Sequence, residues 1–163
     1  MTSTTLRQLT VFAFLLFGTQ AMQGPSQADQ GNQTVDHSQI QATIDDNNAA
    51  VAAGNMDNIL ATYEPTAVLL GQPGMPVTGT AALREAFRQF LVLNPKITIV
   101  SQDVIQSGDI ALHSYTWKMA GKAPDGSPVA QNGFSVVVLR KQPDGRWLMV
   151  IDNPFGDQLL RKG

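Results

Sequence analysis

Leu83, Ala86, Phe87, Phe90 and Leu91 recur at the spacing of one helical face, while Arg84, Glu85, Arg88 and Gln89 fall on the other. The pattern predicts an amphipathic helix over residues 80–93, ended by Asn94-Pro95. Upstream, Ile40, Ile44, Asn47 and Val51 share a narrow arc and predict a helix over 36–53, with a polar Asn47 on its apolar stripe. Gly54 is placed for a left-handed cap, and Asn55 for the start of a short second helix through Tyr63 that Glu64-Pro65 stops. Residues 67–70 then read as a short strand before a turn-rich "GQPGMP" loop.

Beyond residue 95 the period changes. Segments 96–106, 110–120, 129–141 and 147–152 are rich in β-branched and aromatic residues, and "SGD", "KAPDGSP" and "QPDG" separate them as hairpin turns. Helices followed by an antiparallel meander define an α+β domain, a strongly bent sheet wrapped around three helices. Two strands are apolar on both faces. One carries Ala111, His113, Tyr115, Trp117 and Met119 opposite Ile110 and Leu112; the other carries Trp147, Met149 and Ile151 opposite Leu148 and Val150. A second apolar face calls for a partner, and a homodimer through the sheet supplies one.

The first 28 residues change the picture of the cellular address. Arg7 is their only charge, and LTVFAFLLF follows it, too short to span a bilayer. Small residues at Thr19 and Ala21, or at Ser26 and Ala28, suit cleavage after Ala21 or Ala28. Residues 1–28 are therefore expected to be a secretory signal, 29–35 a flexible leader, 36–157 the domain and 158–163 a short tail. The mature protein is expected to be secreted or periplasmic.

Without residues 1–28 the chain keeps ten of its 11 Lys and Arg and all 13 Asp and Glu. No basic cluster stands out, which argues against nucleic acid and against an anionic membrane after signal cleavage. No cysteine is present, so thiolate chemistry, disulfides and a lipidated cysteine are absent. The two histidines, His37 and His113, lie far apart without metal-ligand spacing, and no phosphate or dinucleotide loop occurs, so neither a metal nor a cofactor is expected.

Several strings resemble the SnoaL-like branch of the nuclear-transport-factor-2-like superfamily, which includes ketosteroid isomerase. They are "AAGNMDNILATYEPTAVLL", "VTGTAALREAFRQFL", "SGDIALHSYTW" and above all "VVVLRKQPDGRWLMVIDNPFG". The resemblance implies a cone-shaped, cystatin-like fold over an interior pocket, usually dimeric, among isomerases, cyclases, dehydratases and binding proteins. Many relatives carry His beside the closing Asp, whereas this chain has Ile151 and Asn153, so a His–Asp pair does not transfer.

Candidate chemistry centres on Asp152. At the rim of an apolar cavity it suits a general base; at a strand end it suits a cap on backbone N–H groups beside Asn153-Pro154. His113 is the second catalytic candidate. Tyr115 and Trp117 share its face, as pocket wall or as interface anchors, and Asn47 and Tyr63 are expected on inner helix faces. Asn132 is a candidate ligand contact too, although Asn132-Gly133 also reads as a bulge that bends the sheet. The expected ligand is a small, mostly apolar organic molecule; cofactor-free acid–base catalysis beside a carbonyl is the alternative.

Overall fold

A computed structural model describes residues 27–161, with side chains over 35–158. The secretory-signal reading of residues 1–28 lies almost wholly outside the described residues. Helix α1 spans Gln27–Ala53 and α2 spans Met56–Ala61. Strands β1 (Tyr63–Gln72) and β2 (Met75–Thr78) precede helix α3 (Thr80–Leu91). Strands β3 (Lys96–Ser107), β4 (Ile110–Lys122), β5 (Pro128–Lys141) and β6 (Trp147–Asn153) follow, then a short 3-10 turn, Gly156–Arg161. The sheet order is β2-β1-β6-β5-β4-β3. The expected meander is present as β3 to β6, and β1 closes beside β6 in parallel.

Three local readings need correction. Residues 27–35 continue α1 rather than forming an irregular leader; no proline interrupts them after Pro25. The "GQPGMP" segment is a hairpin between β1 and β2, with Gly74 at φ 72 supplying the left-handed turn position. Tyr63 opens β1 instead of ending a helix, and Pro65 falls where the β1–β6 ladder is irregular. A proline has no N–H for the ladder, so it sits where the register slips.

Helix α1 lies across the inner sheet face. Asp36, Ile40, Ile44, Asn47 and Val51 are its buried stripe, at spacings of four and three. Each fully buried isoleucine contributes about 1.5–3 kcal/mol. At the far end Asp36, only 2% exposed, ties the helix to three strands. Its Oδ1 accepts from Lys141 Nζ at 2.7 Å and from Trp147 Nε1 at 3.5 Å, and its Oδ2 from Gln106 Nε2 at 3.0 Å. Burial opposes its charge, but these three donors outweigh it and hold the carboxyl below its usual range. Asn55 caps α2, accepting from Asn58 N at 3.1 Å, and Gly54 takes the left-handed conformation at φ 65.

The sheet bends at bulges, but not where the sequence suggests. The β4–β5 register runs unbroken through Trp117↔Gly133 and Lys118↔Asn132, so no bulge occurs at Asn132-Gly133. Gly133 serves another purpose. A Cβ there would stand 2.7 Å from Trp117 Cζ2 and 2.9 Å from Cε2, so only glycine lets the indole lie across β5. Bulges occur at Gly71 in β1, Val100 in β3 and Val150 in β6, where each strand carries one residue more than its partner.

Among the described residues no helix is long and apolar enough to cross a membrane. Also among them, no cluster of three His, Asp or Glu residues stands ready to hold a metal.

Candidate functional site

The Val150 bulge decides what Asp152 does. Strict alternation groups Trp147, Met149 and Ile151 on one face and sends Asp152 to the other. The extra residue reverses the phase. Trp147 and Met149 are buried, Ile151 turns outward at 42% exposure, and Asp152 turns inward at 9%. The carboxylate enters the cone.

It arrives with little company. Tyr63 donates its hydroxyl to Asp152 Oδ2 at 2.6 Å, and Oδ1 is buried with no hydrogen-bond partner among the described residues. Burial pushes the carboxyl from 3.8 up to about 6, with the Tyr63 hydrogen bond pulling the other way. Burial, then the neighbouring Asp152 charge, raises the Tyr63 phenol well above its ordinary value; Tyr115 is raised for the same two reasons. The strand-end alternative does not describe this residue. The turn is closed by Asn153, whose Oδ1 accepts from Phe155 N at 3.0 Å, while Asp152 accepts a side-chain hydroxyl.

Asp152 opens on a cavity of about 140 Å³ between the sheet, α1 and α3. Its wall is mainly apolar, with Val51, Leu69, Phe87, Phe90, Ile97 and Met119 among the contributors. Tyr115 and Trp117 line it, so their face of β4 is the interior one. Asn47 lines it too, and its Nδ2 donates to Thr62 Oγ1 at 2.9 Å. Of the residues singled out from sequence, Asp152, Asn47, Tyr63, Tyr115 and Trp117 therefore meet at one cavity.

Two do not. Asn132 is exposed on the outer face, paired with Lys118, because inward alternation along β5 passes through Gln131, Gly133 and Ser135. His113 is fully buried but does not line the cavity. It shares a row with Asp152 across the sheet, Leu69–Asp152–Val137–His113–Val104. Val137 stands between them, and two strand spacings separate the pair by roughly 10 Å. His113 Nε2 instead meets Gln102 Oε1 at 3.0 Å, and burial lowers the imidazole pKa. It is a core residue.

The sequence reading missed Ser135, 1% exposed, which lines the cavity as the register partner of Tyr115 with its hydroxyl beside the Tyr115 phenol. The available signal was a lone hydroxyl at inward period with Val137 and Leu139 in an otherwise aliphatic run. Trp117 Nε1 is buried without a partner.

A bent α+β sheet closed by helices over a polar-tipped cavity defines the cystatin-like cone class. The chain belongs to the SnoaL-like domain family, which residues 44–149 match. Its fold is similar to a nuclear-transport-factor-2-like protein with a cystatin-like fold from Novosphingobium aromaticivorans, at 15% identity and TM-score 0.64 over 77% of this chain and 84% of that one. A candidate dehydratase of the same superfamily from Streptomyces avermitilis aligns at 16% identity and TM-score 0.67, over 74% and 95% of the two chains. A candidate ketosteroid isomerase from Shewanella frigidimarina aligns at 20% identity and TM-score 0.59, over 69% and 90%. A search of curated proteins finds no match.

The buried carboxyl carries a stability consequence of definite sign. Asp152 holds its proton up to about pH 6 in the folded chain, against 3.8 ordinarily, so folding is less favourable once pH rises through 6. The difference corresponds to on the order of 3 kcal/mol at neutral pH. Asp152→Asn keeps an acceptor for Tyr63 and removes the charge. Thermal unfolding at pH 7.5 should show the variant more stable by about 1–3 kcal/mol, several degrees in Tm. The gain should shrink toward pH 4. A lower Tm at pH 7.5 would show that the charge is held by its hydrogen bonds as a structural cap.

Proposed function

We propose that the cone holds a small, mostly apolar organic molecule whose polar end meets Asp152. The observation that carries this reading is Asp152 Oδ1, buried in an apolar cavity with no hydrogen-bond partner among the described residues. A buried acceptor left bare costs about 1–3 kcal/mol, more for a charged group, and a ligand that donates to it removes that cost. The cavity, about 140 Å³, suits a ligand smaller than the drug-sized compounds that fill 300–1,000 Å³ sites.

The second reading is cofactor-free acid–base catalysis beside a carbonyl. It is favoured by a specific observation: a carboxyl near 6 is half-ionised close to neutral pH, which suits a general base. Tyr115 and Ser135 bring hydroxyl groups to the same wall, able to donate to an oxygen that gains negative charge. Isomerase and dehydratase are also the activities named for two of the similar structures. In D2O, exchange of the α-protons of cyclohexanone should then exceed the buffer rate by ~100-fold or more. The rate should rise with pH through about 6 and vanish in Asp152→Asn. Saturable binding without exchange leaves the binding reading alone; neither result sinks both.

A homodimer is proposed through the outer face of the sheet. Ile105, Leu112, Val138, Ile151 and Val68 are register partners in one continuous row across β3, β4, β5, β6 and β1. Ile105 is 63%, Leu112 37% and Ile151 42% exposed. Apolar rows of this length on an outer face are associated with protein contacts. Light scattering should give about twice the chain mass, and Leu112→Asp should give monomer or insoluble protein. A monomer at micromolar concentration without mutation would rule the contact out.

Export remains part of the proposal, supported by Arg7 and the LTVFAFLLF run. Protein collected outside the cytoplasm should begin at Met22 or Asp29 by N-terminal sequencing. Recovery only of cytoplasmic full-length chain would contradict it.

A further inference from the structure

The cavity has an electrostatic asymmetry that its apolar volume does not require. Of the described residues that line it, Asp152 alone carries a formal charge. None of the chain's described ion pairs includes Asp152. Its hydrogen-bond partner is the neutral Tyr63 hydroxyl, and its second oxygen is bare. Six aromatic residues line the same cavity: Tyr63, Phe87, Phe90, Tyr115, Trp117 and Phe155. Ring faces carry negative potential and attract cations, most strongly where water is excluded. A carboxylate and a ring-rich wall thus favour the same sign of charge in a ligand.

We infer that the preferred ligand is a protonated amine on a small apolar body, its N–H donated to Asp152 Oδ1 and its cationic head set among the rings. This rests on the binding reading above and names the ligand's class. An organic acid would place a second negative charge beside Asp152 with no Lys, Arg or His on the described wall to balance it. An alcohol satisfies Oδ1 but leaves the carboxylate uncompensated in a low-dielectric interior. An ammonium does both.

The groups that bear on a pH test can be named from each side. Tyr63 from β1 and Tyr115 from β4 have phenols raised above their ordinary range, so both stay neutral. Helix α1 presents Asn47, Asn48 and Val51, and α3 presents Ala86, Phe87 and Phe90, none titratable. His113, in the same row, is held toward its neutral form by burial. Of the groups on this wall, Asp152 is the one whose pKa, about 6, falls between pH 5 and 7.5; His113 lies off the wall. An alkyl ammonium stays charged throughout, as a lysine does.

The test uses three probes of one ring size on the mature chain: cyclohexylamine, cyclohexanol and cyclohexanecarboxylate. Calorimetry would be paired with tryptophan fluorescence, to which Trp117 in the wall contributes. At pH 7.5 the amine should bind at least ~10-fold tighter than the alcohol, an ordinary advantage for a charge-assisted hydrogen bond, and the carboxylate should not saturate. The amine-to-alcohol ratio should fall toward one as pH drops to 5, and in Asp152→Asn checked for an intact Tm. An alcohol that binds as tightly as the amine at pH 7.5 overturns the inference and leaves the cavity reading standing. An amine preference that survives Asp152→Asn overturns it as well, since the cation then sits elsewhere. Failure of all three probes to bind at millimolar concentration overturns the cavity reading itself.

Discussion

The closure of the inner sheet face by α1 is the constraint on which the rest depends. A strongly bent sheet cannot fill its own concavity with side chains, so a helix must cover it. The cover is pinned at one end by Asp36, which reaches β3, β5 and β6 through Gln106, Lys141 and Trp147. Thr43 adds a bond to Trp147 O at 3.0 Å. Between these anchors and Val51 the isoleucine stripe excludes water. At the other end of the stripe packing gives way to the cavity, and Asn47 and Asn48 face it in place of isoleucine. The low-dielectric surroundings that perturb Asp152 are a product of that closure.

Asp36 and Asp152 make an informative contrast. Both are nearly inaccessible carboxylates in one domain. Asp36 has a lysine and two further donors, and its carboxyl is held below the usual range. Asp152 has one neutral donor and is pushed up to about 6. The first arrangement stabilises the charged form and suits a structural tie. The second leaves a charged group under-satisfied at neutral pH, a cost to folding of the kind found where a site serves binding or chemistry rather than stability.

What the sequence disclosed follows the range of the forces involved. Helix α3 and the three hairpins of the meander are local patterns, with Gly108, Gly126 and Gly145 in left-handed conformations at the turns the Gly-Asp and Asp-Gly pairs announce. Asn47 on an apolar stripe and the Tyr115–Trp117 face stand out in the sequence, and all three residues line the cavity. Tyr63 lines it as well, but from β1 rather than from a helix, because Pro65 looks like a terminator when the strand beyond it is not visible. His113 looked chemical because imidazole is; only the register, with Val137 between it and Asp152, shows a core position. Asn132 was misplaced by a glycine. Gly133 resembles a bulge signal in one dimension, and in three it makes room for the Trp117 ring.

The Val150 bulge is the least legible feature and the one with the widest reach. No glycine or proline marks it, so alternation along "WLMVID" runs to the wrong face. One inserted residue changes two surfaces at once. It carries Asp152 into the cone, where it meets Tyr63, and it turns Ile151 out into the apolar row with Leu112 and Val138. Without the extra residue the carboxylate would lie on the outer row and the isoleucine in the cavity. Both faces would then be wrong together: a charge amid the proposed contact, and a cavity whose described lining carries no formal charge. The interior site and the outer face are thus set by the same local irregularity.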